Sequence, residues 1–123
     1  MQLDESQLRR VSDGAELCRL QSGIIISRRH KHEPIEIAGL SEEDLKRRTS
    51  KENGSKFLPG TTLCQIVEMT AKVLGDDGAT IGLKTTYNVV YDRPIGISRG
   101  RRVRGIRVAL ASGYAHAFPI ESE

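Results

Sequence analysis

The chain has 123 residues, the length of one domain, with 19 Lys and Arg against 16 Asp and Glu for a net charge of +3. Hydrophobic residues make up 37%, with apolar runs at Ile24–Ile26, Ile66–Leu74 and Val103–Leu110, which excludes a disordered chain. No stretch approaches the ~20 apolar residues of a membrane helix, which excludes a membrane span. Met1–Arg10 has no apolar core behind a basic start and reads as carrying no signal peptide. Cys18 and Cys64 are too few for a disulfide scaffold or a four-ligand zinc site. With no Trp and 4% aromatic residues, a module that binds nucleic acid mainly by stacking bases on many rings is also excluded.

Residues 3–21 read as helix, because Leu3, Leu8, Val11, Leu17 and Leu20 fall near a 3.6 period, with Gly14 as a break and Gly23 as the end. Ile24–Ser27 is a β-branched run leading into Arg28–His32, and Pro34–Ala38 reads extended. Ser41 caps a helix whose first turn is acidic (Glu42, Glu43, Asp44), with Lys46, Arg47 and Arg48 further along. Lys51–Gly60 reads as a polar loop. A second helix runs from Thr61 or Thr62 to Leu74, with Leu63, Ile66, Val67, Thr70, Val73 and Leu74 as its inner stripe, and Gly75–Gly78 is a turn.

The remainder is strand-like: Thr80–Asp92, Ile95–Ser98, a basic turn at Arg99–Arg102, Val103–Leu110 with Ile106, Val108 and Leu110 on one face, and Tyr114–Ile120. Ser112-Gly113 is a two-residue hairpin signal. Helices followed by antiparallel strands define an α+β class, with N-terminal helices packed on a C-terminal antiparallel sheet. No repeat or linker divides the chain. It reads as a single domain over residues 1–123, with an N-terminal helical segment over 1–22 and a core over 23–120.

Charge is unevenly placed. Between Arg93 and Ile120 there are six arginines (Arg93, Arg99, Arg101, Arg102, Arg104, Arg107) and no acid. Arginine forks onto phosphate, so a block of this kind suits a polyanion such as RNA, with Arg99, Arg101, Arg102 and Arg104 as the contacting residues. The alternative is a solvated edge whose arginines prevent aggregation.

Histidine is the side chain best placed to exchange protons near neutral pH, and there are three: His30, His32 and His116. His30 and His32 would share one strand face, but no further ligand stands out for a metal, so no metal site is assigned. His32 reads as a surface histidine without a role. By the period-2 rule His116 shares a face with Tyr114 and Phe118, where Tyr114 would join the substrate-contacting set. Cys18 and Cys64 read as core. The glycine spacings make no phosphate loop, and inside the basic region no paired acids stand at the spacing of a magnesium-dependent nuclease.

In order, Arg28-Arg29-His30, Gly39–Arg48, Ser55-Lys56-Phe57 before the second helix, Pro94–Gly100, Gly105–Leu110 and His116-Ala117-Phe118-Pro119 form a pattern over residues 23–120. It resembles the ribonuclease A-like toxin domains of bacterial contact-dependent inhibition and other polymorphic toxin systems. The resemblance implies His30 as a catalytic histidine and Arg48 as a phosphate-stabilising arginine. It further implies a metal-independent endoribonuclease without cofactor, acting on RNA, delivered into a target-cell cytoplasm within a larger secreted effector and countered by a cognate immunity protein; outside such a system a cytoplasmic location is expected. The family's terminal Thr and Tyr are His116 and Phe118 here, and its earlier His falls on Ile25. His116 as the second acid–base group is therefore an inference from chemistry. Ala117-Phe118-Pro119-Ile120 and Phe57-Leu58-Pro59 are also similar to EndoU-like nucleases, whose Gly-rich histidine motif the chain lacks.

The expected reaction is transesterification: a base takes the ribose 2′-OH proton, the oxygen attacks phosphorus, and an acid protonates the leaving 5′ oxygen. His30 and His116 would be the pair and Arg48 the charge stabiliser. The reading from another class is a non-catalytic RNA-binding or protein-interaction module whose function is the Arg93–Arg107 segment.

Overall fold

The structure, a computed structural model that describes residues 14–29, 32–33, 41–52, 54–75 and 85–121, has an α+β fold. Its elements run β1 (Glu16–Arg19), β2 (Ile25–Ser27), α1 (Glu42–Glu52), β3 (Ser55–Phe57), α2 (Leu63–Leu74), β4 (Thr86–Val90), β5 (Gly96–Ser98), β6 (Arg101–Val103), β7 (Gly105–Ala111) and β8 (Tyr114–Ile120). The strands form two mostly antiparallel sheets, ordered β1-β2-β8-β7-β4 and β3-β5-β6. The chain divides into two compact units: residues 1–30, 62–87 and 108–117 in one, and residues 31–61, 88–107 and 118–123 in the other. Strands β4, β7 and β8 contribute residues to both. No helix among the described residues is long and apolar enough to cross a membrane.

In the first unit, Glu16–Arg19 is a strand, which corrects the helical reading of residues 3–21; residues 1–13 lie outside those described. Cys18 and Leu20, two apart, are both buried, as one face of a strand requires. The Leu17–Leu20 spacing that suggested a helix instead carries the chain into a tight turn, where the Leu20 N–H donates to the Ile24 carbonyl and the Gly23 N–H to the Leu20 carbonyl. The β-branched run then returns antiparallel, Cys18 opposite Ile26, and continues parallel to β8, Ile25 opposite Tyr114. Helix α2 begins at Thr62 as the sequence suggests. The Gln65 N–H donates to Thr62 Oγ1 at 3.1 Å and the Thr62 N–H to Gln65 Oε1 at 2.8 Å, a capping box that satisfies two otherwise orphaned donors. Its buried stripe is Leu63, Ile66, Val67, Thr70 and Leu74, while Val73 is half-buried. Cys18 is core, but Cys64 is only half-buried.

In the second unit, Ser41 caps α1 in a reciprocal way: Asp44 N–H donates to Ser41 Oγ at 3.3 Å and Ser41 N–H to Asp44 Oδ2 at 3.0 Å. The polar loop expected over Lys51–Gly60 contains β3, fully buried and paired antiparallel with β5, Ser55 opposite Ser98 and Phe57 opposite Gly96. Only Phe57 of its three residues is apolar, too short a run for any hydrophobic period to register. Strand β6 pairs antiparallel with β5, Ser98 opposite Arg101, so the expected four-residue basic turn is two residues, Arg99-Gly100, with Arg101 and Arg102 in the strand. Leu45, Phe57, Ile95, Ile97, Val103 and Ile106 form the core of this unit. Back in the first unit, the β7–β8 turn at Ser112-Gly113 has positive φ at both residues (53° and 83°), the backbone a tight two-residue hairpin needs. The extended segment expected at Pro34–Ala38 and most of the turn at Gly75–Gly78 fall outside the described residues, as does Thr80–Lys84.

Candidate functional site

The second unit carries a cleft of about 550 Å³, a size that suits a nucleotide-scale ligand. His32, Lys56, Arg99, Phe118 and Glu121 bring chemistry to its wall, with Ser55 and Ser98 beside them. Its base is the β3–β5 pair, where Ser55 and Ser98 face each other in register and are both buried.

The His32 ring is held against two described residues, Phe118 and Ser55. It stacks on Phe118, with ring centroids 5.0 Å apart and planes at 21°. Its Nδ1 lies 3.0 Å from the Ser55 carbonyl oxygen and 3.3 Å from Ser55 Oγ. A carbonyl can only accept, so Nδ1 carries the proton and donates it there. Nε2 is the ring nitrogen that Ser55 does not engage. The sequence reading places His32 at the surface, whereas its side chain is half-buried, stacked and hydrogen-bonded.

Arg99 is held by its backbone. Its φ is +50°, a left-handed conformation costly for a residue with a side chain, and Gly100 follows at +80°. Two hydrogen bonds keep the turn there. The Arg99 N–H donates to the Gly54 carbonyl at 3.1 Å, and the Gly100 N–H donates to Thr49 Oγ1 at 2.9 Å. Thr49 is itself 2% exposed and donates its hydroxyl proton to the Leu45 carbonyl at 2.9 Å. A Cβ on Gly100 would lie 3.1 Å from Ser50 Cβ and 3.3 Å from the Lys46 carbonyl, so the turn seats tightly on α1.

The sequence-selected residues are distributed as follows. Arg99 lines the cleft; Arg101 and Arg104 are exposed on and just after β6. Arg102 is forked onto Glu42, with Nε at 3.0 Å and Nη2 at 2.6 Å from Glu42 Oε1. That hydrogen bond, more than any other cause, holds the Glu42 carboxyl below the usual glutamate range and raises Arg102. Arg48 is exposed on α1 and does not line the cleft. His116 is half-buried on β8 in the first unit, and Tyr114 is exposed at the start of that strand. His30 lies outside the described residues. Sequence reasoning missed His32, Ser55, Lys56, Ser98 and Glu121. No group of three or more His, Cys, Asp or Glu among the described residues is arranged to hold a metal ion.

The chain matches no protein-family model, no curated protein and no solved structure.

Proposed function

We propose that the protein cleaves single-stranded RNA by 2′-hydroxyl transesterification in the His32 cleft. The observation that carries the proposal is the His32 ring, oriented by the Ser55 carbonyl and by Phe118 in a cleft that also holds cations and a carboxylate. In-line attack by the 2′ oxygen needs one group to take its proton and another to protonate the departing 5′ oxygen. Glu121 is the one carboxylate among the described residues lining the cleft, and it takes the 2′ proton. His32 donates from Nε2 to the leaving oxygen, its Nδ1–H staying on Ser55. Charge developing on the phosphorus oxygens is met by Arg99, preset by its strained turn, and by Lys56, only 7% exposed. The nucleophile belongs to the substrate, so the reaction asks the protein for proton transfer and charge stabilisation.

The test is incubation of the pure protein with structured and unstructured RNAs in EDTA. Cleavage is expected, leaving 2′,3′-cyclic phosphate ends and sparing DNA. His32→Ala is expected to lose ~10²–10⁴ in rate, and Glu121→Gln to lose activity in the same direction. His30→Ala and His116→Ala belong in the same experiment as the pair expected from sequence. Full activity in His32→Ala with loss in those two overturns the His32 assignment. A gel shift without cleavage supports the second reading, a binding module, which the exposure of Arg99, Arg101 and Arg104 favours.

A further inference from the structure

We infer that a second, open groove on the same unit binds the RNA phosphates next to the reacting nucleotide, so that the protein prefers oligonucleotides over dinucleotides. This rests on the reading of the cleft as an RNA-cleaving site. The groove, of about 650 Å³, runs between the second half of α1 and the β5–β6 turn and is lined by Lys46, Arg47, Lys51, Arg99 and Arg101, with Glu43 as its acid. Two of the cations are neutralised: Lys46 lies 3.4 Å from both Glu42 Oε2 and Glu43 Oε1, and Arg47 pairs with Asp44. Lys51, Arg99 and Arg101 form no ion pair with a described residue, and all three are exposed.

Arg99 joins the two. It lines both the cleft and the groove, and no other described residue on either wall does so. A chain whose scissile phosphate meets Arg99 from the cleft therefore continues past the same residue to Arg101 and Lys51. The turn that carries Arg99 is docked on α1 through Thr49 and Gly100, so the two sites keep a fixed spacing within this unit. A backbone of regularly spaced negative charge fits such a line of cations, and its binding energy, remote from the reacting bond, adds to turnover of longer substrates.

Two readouts test this. The first is binding of a single-stranded 2′-deoxy oligonucleotide, which cannot be cleaved by this chemistry, across a salt series. Lys51→Ala with Arg101→Ala should flatten the log–log salt slope by ~0.7 for each phosphate contact removed, and Glu43→Gln should tighten binding. The second is cleavage of a dinucleoside monophosphate against a longer RNA. The double variant should lose about tenfold or more in kcat/KM on the longer RNA and far less on the dinucleotide. Equal loss on both substrates, an unchanged salt slope, or a response to Lys51 and Arg101 seen only with anionic phospholipid vesicles overturns the inference. Groove-dependent oligonucleotide binding with no cleavage of any RNA supports the groove while removing the catalytic reading. Cleavage with groove-independent binding does the reverse.

Discussion

Gly96→Ala tests how the cleft wall is built. Gly96 opens β5 opposite Phe57, and a Cβ there would lie 2.4 Å from Pro119 Cγ, 2.5 Å from Pro119 Cβ and 3.0 Å from the Lys56 carbonyl oxygen. Carbon atoms in good contact sit ~3.5–4.0 Å apart, so about 1 Å must be found. Neither neighbour yields easily: Pro119 is a rigid ring that is fully buried, and the Lys56 oxygen belongs to a paired strand. Overpacking of this kind costs ~1–3 kcal/mol. Gly96 is not in the left-handed region, so alanine also restricts the unfolded chain, which returns ~0.4–1 kcal/mol. The expected net loss is about 1–2 kcal/mol, read as a lower urea midpoint at unchanged slope by circular dichroism. Gly54→Ala is the control, because its Cβ would meet nothing within 4 Å. Pairing Gly96→Ala with Pro119→Gly removes both clashing carbons, so the double variant should be more stable than the sum of the single effects predicts. A Gly96→Ala protein as stable as the parent, or a cycle without coupling, refutes the reasoning.

Two further outcomes follow from the same unit. Thr49→Val keeps the shape of a buried side chain but leaves the Gly100 N–H without its acceptor, at a cost of ~1–3 kcal/mol; denaturant titration should show that loss, and the amide resonances of Arg99 and Gly100 should shift. In a carboxyl NMR titration Glu42 and Asp44 should both titrate below their ordinary ranges, Glu42 because of Arg102 and Asp44 chiefly because of the Ser41 backbone and hydroxyl hydrogen bonds. Both folded-state values are lowered, so what they contribute to stability is present above the unfolded carboxylate range and fades as pH falls through the folded values. Arg102→Ala should return Glu42 upward and leave Asp44 low; a Glu42 midpoint indifferent to Arg102 would dismiss the pair.

The fold was legible where residues act on near neighbours. Ser41 with its three following acids, Thr62 with Gln65, and Ser112-Gly113 mark their elements because caps and tight turns are local chemistry. Glu16–Arg19 was misread because a spacing of three between leucines fits a helix turn as well as a strand running into a bend, and only the partner Ile25–Ser27 decides between them. Strand β3 was hidden for a related reason. Ser55 and Lys56 are buried by what pairs with them from β5, and nothing in their own types announces it.

The site was harder to read than the fold because its decisive atoms are not side-chain motifs. Charge can be counted along a sequence, so the basic segment at Arg93–Arg107 stood out. Counting could not show that Arg102 is neutralised by Glu42 from the start of α1, while Arg99 is turned into the cleft by a strained two-residue turn. The histidines present the same difficulty. His30 drew attention through the arginines before it, and His116 through its place on the terminal strand. His32 is oriented by a backbone carbonyl on β3 and a phenyl ring on β8, neither of which leaves a mark in the residues around it. The tautomer and the plane of His32 are both set by partners distant in sequence, so counting histidines along the chain could not rank it above the other two.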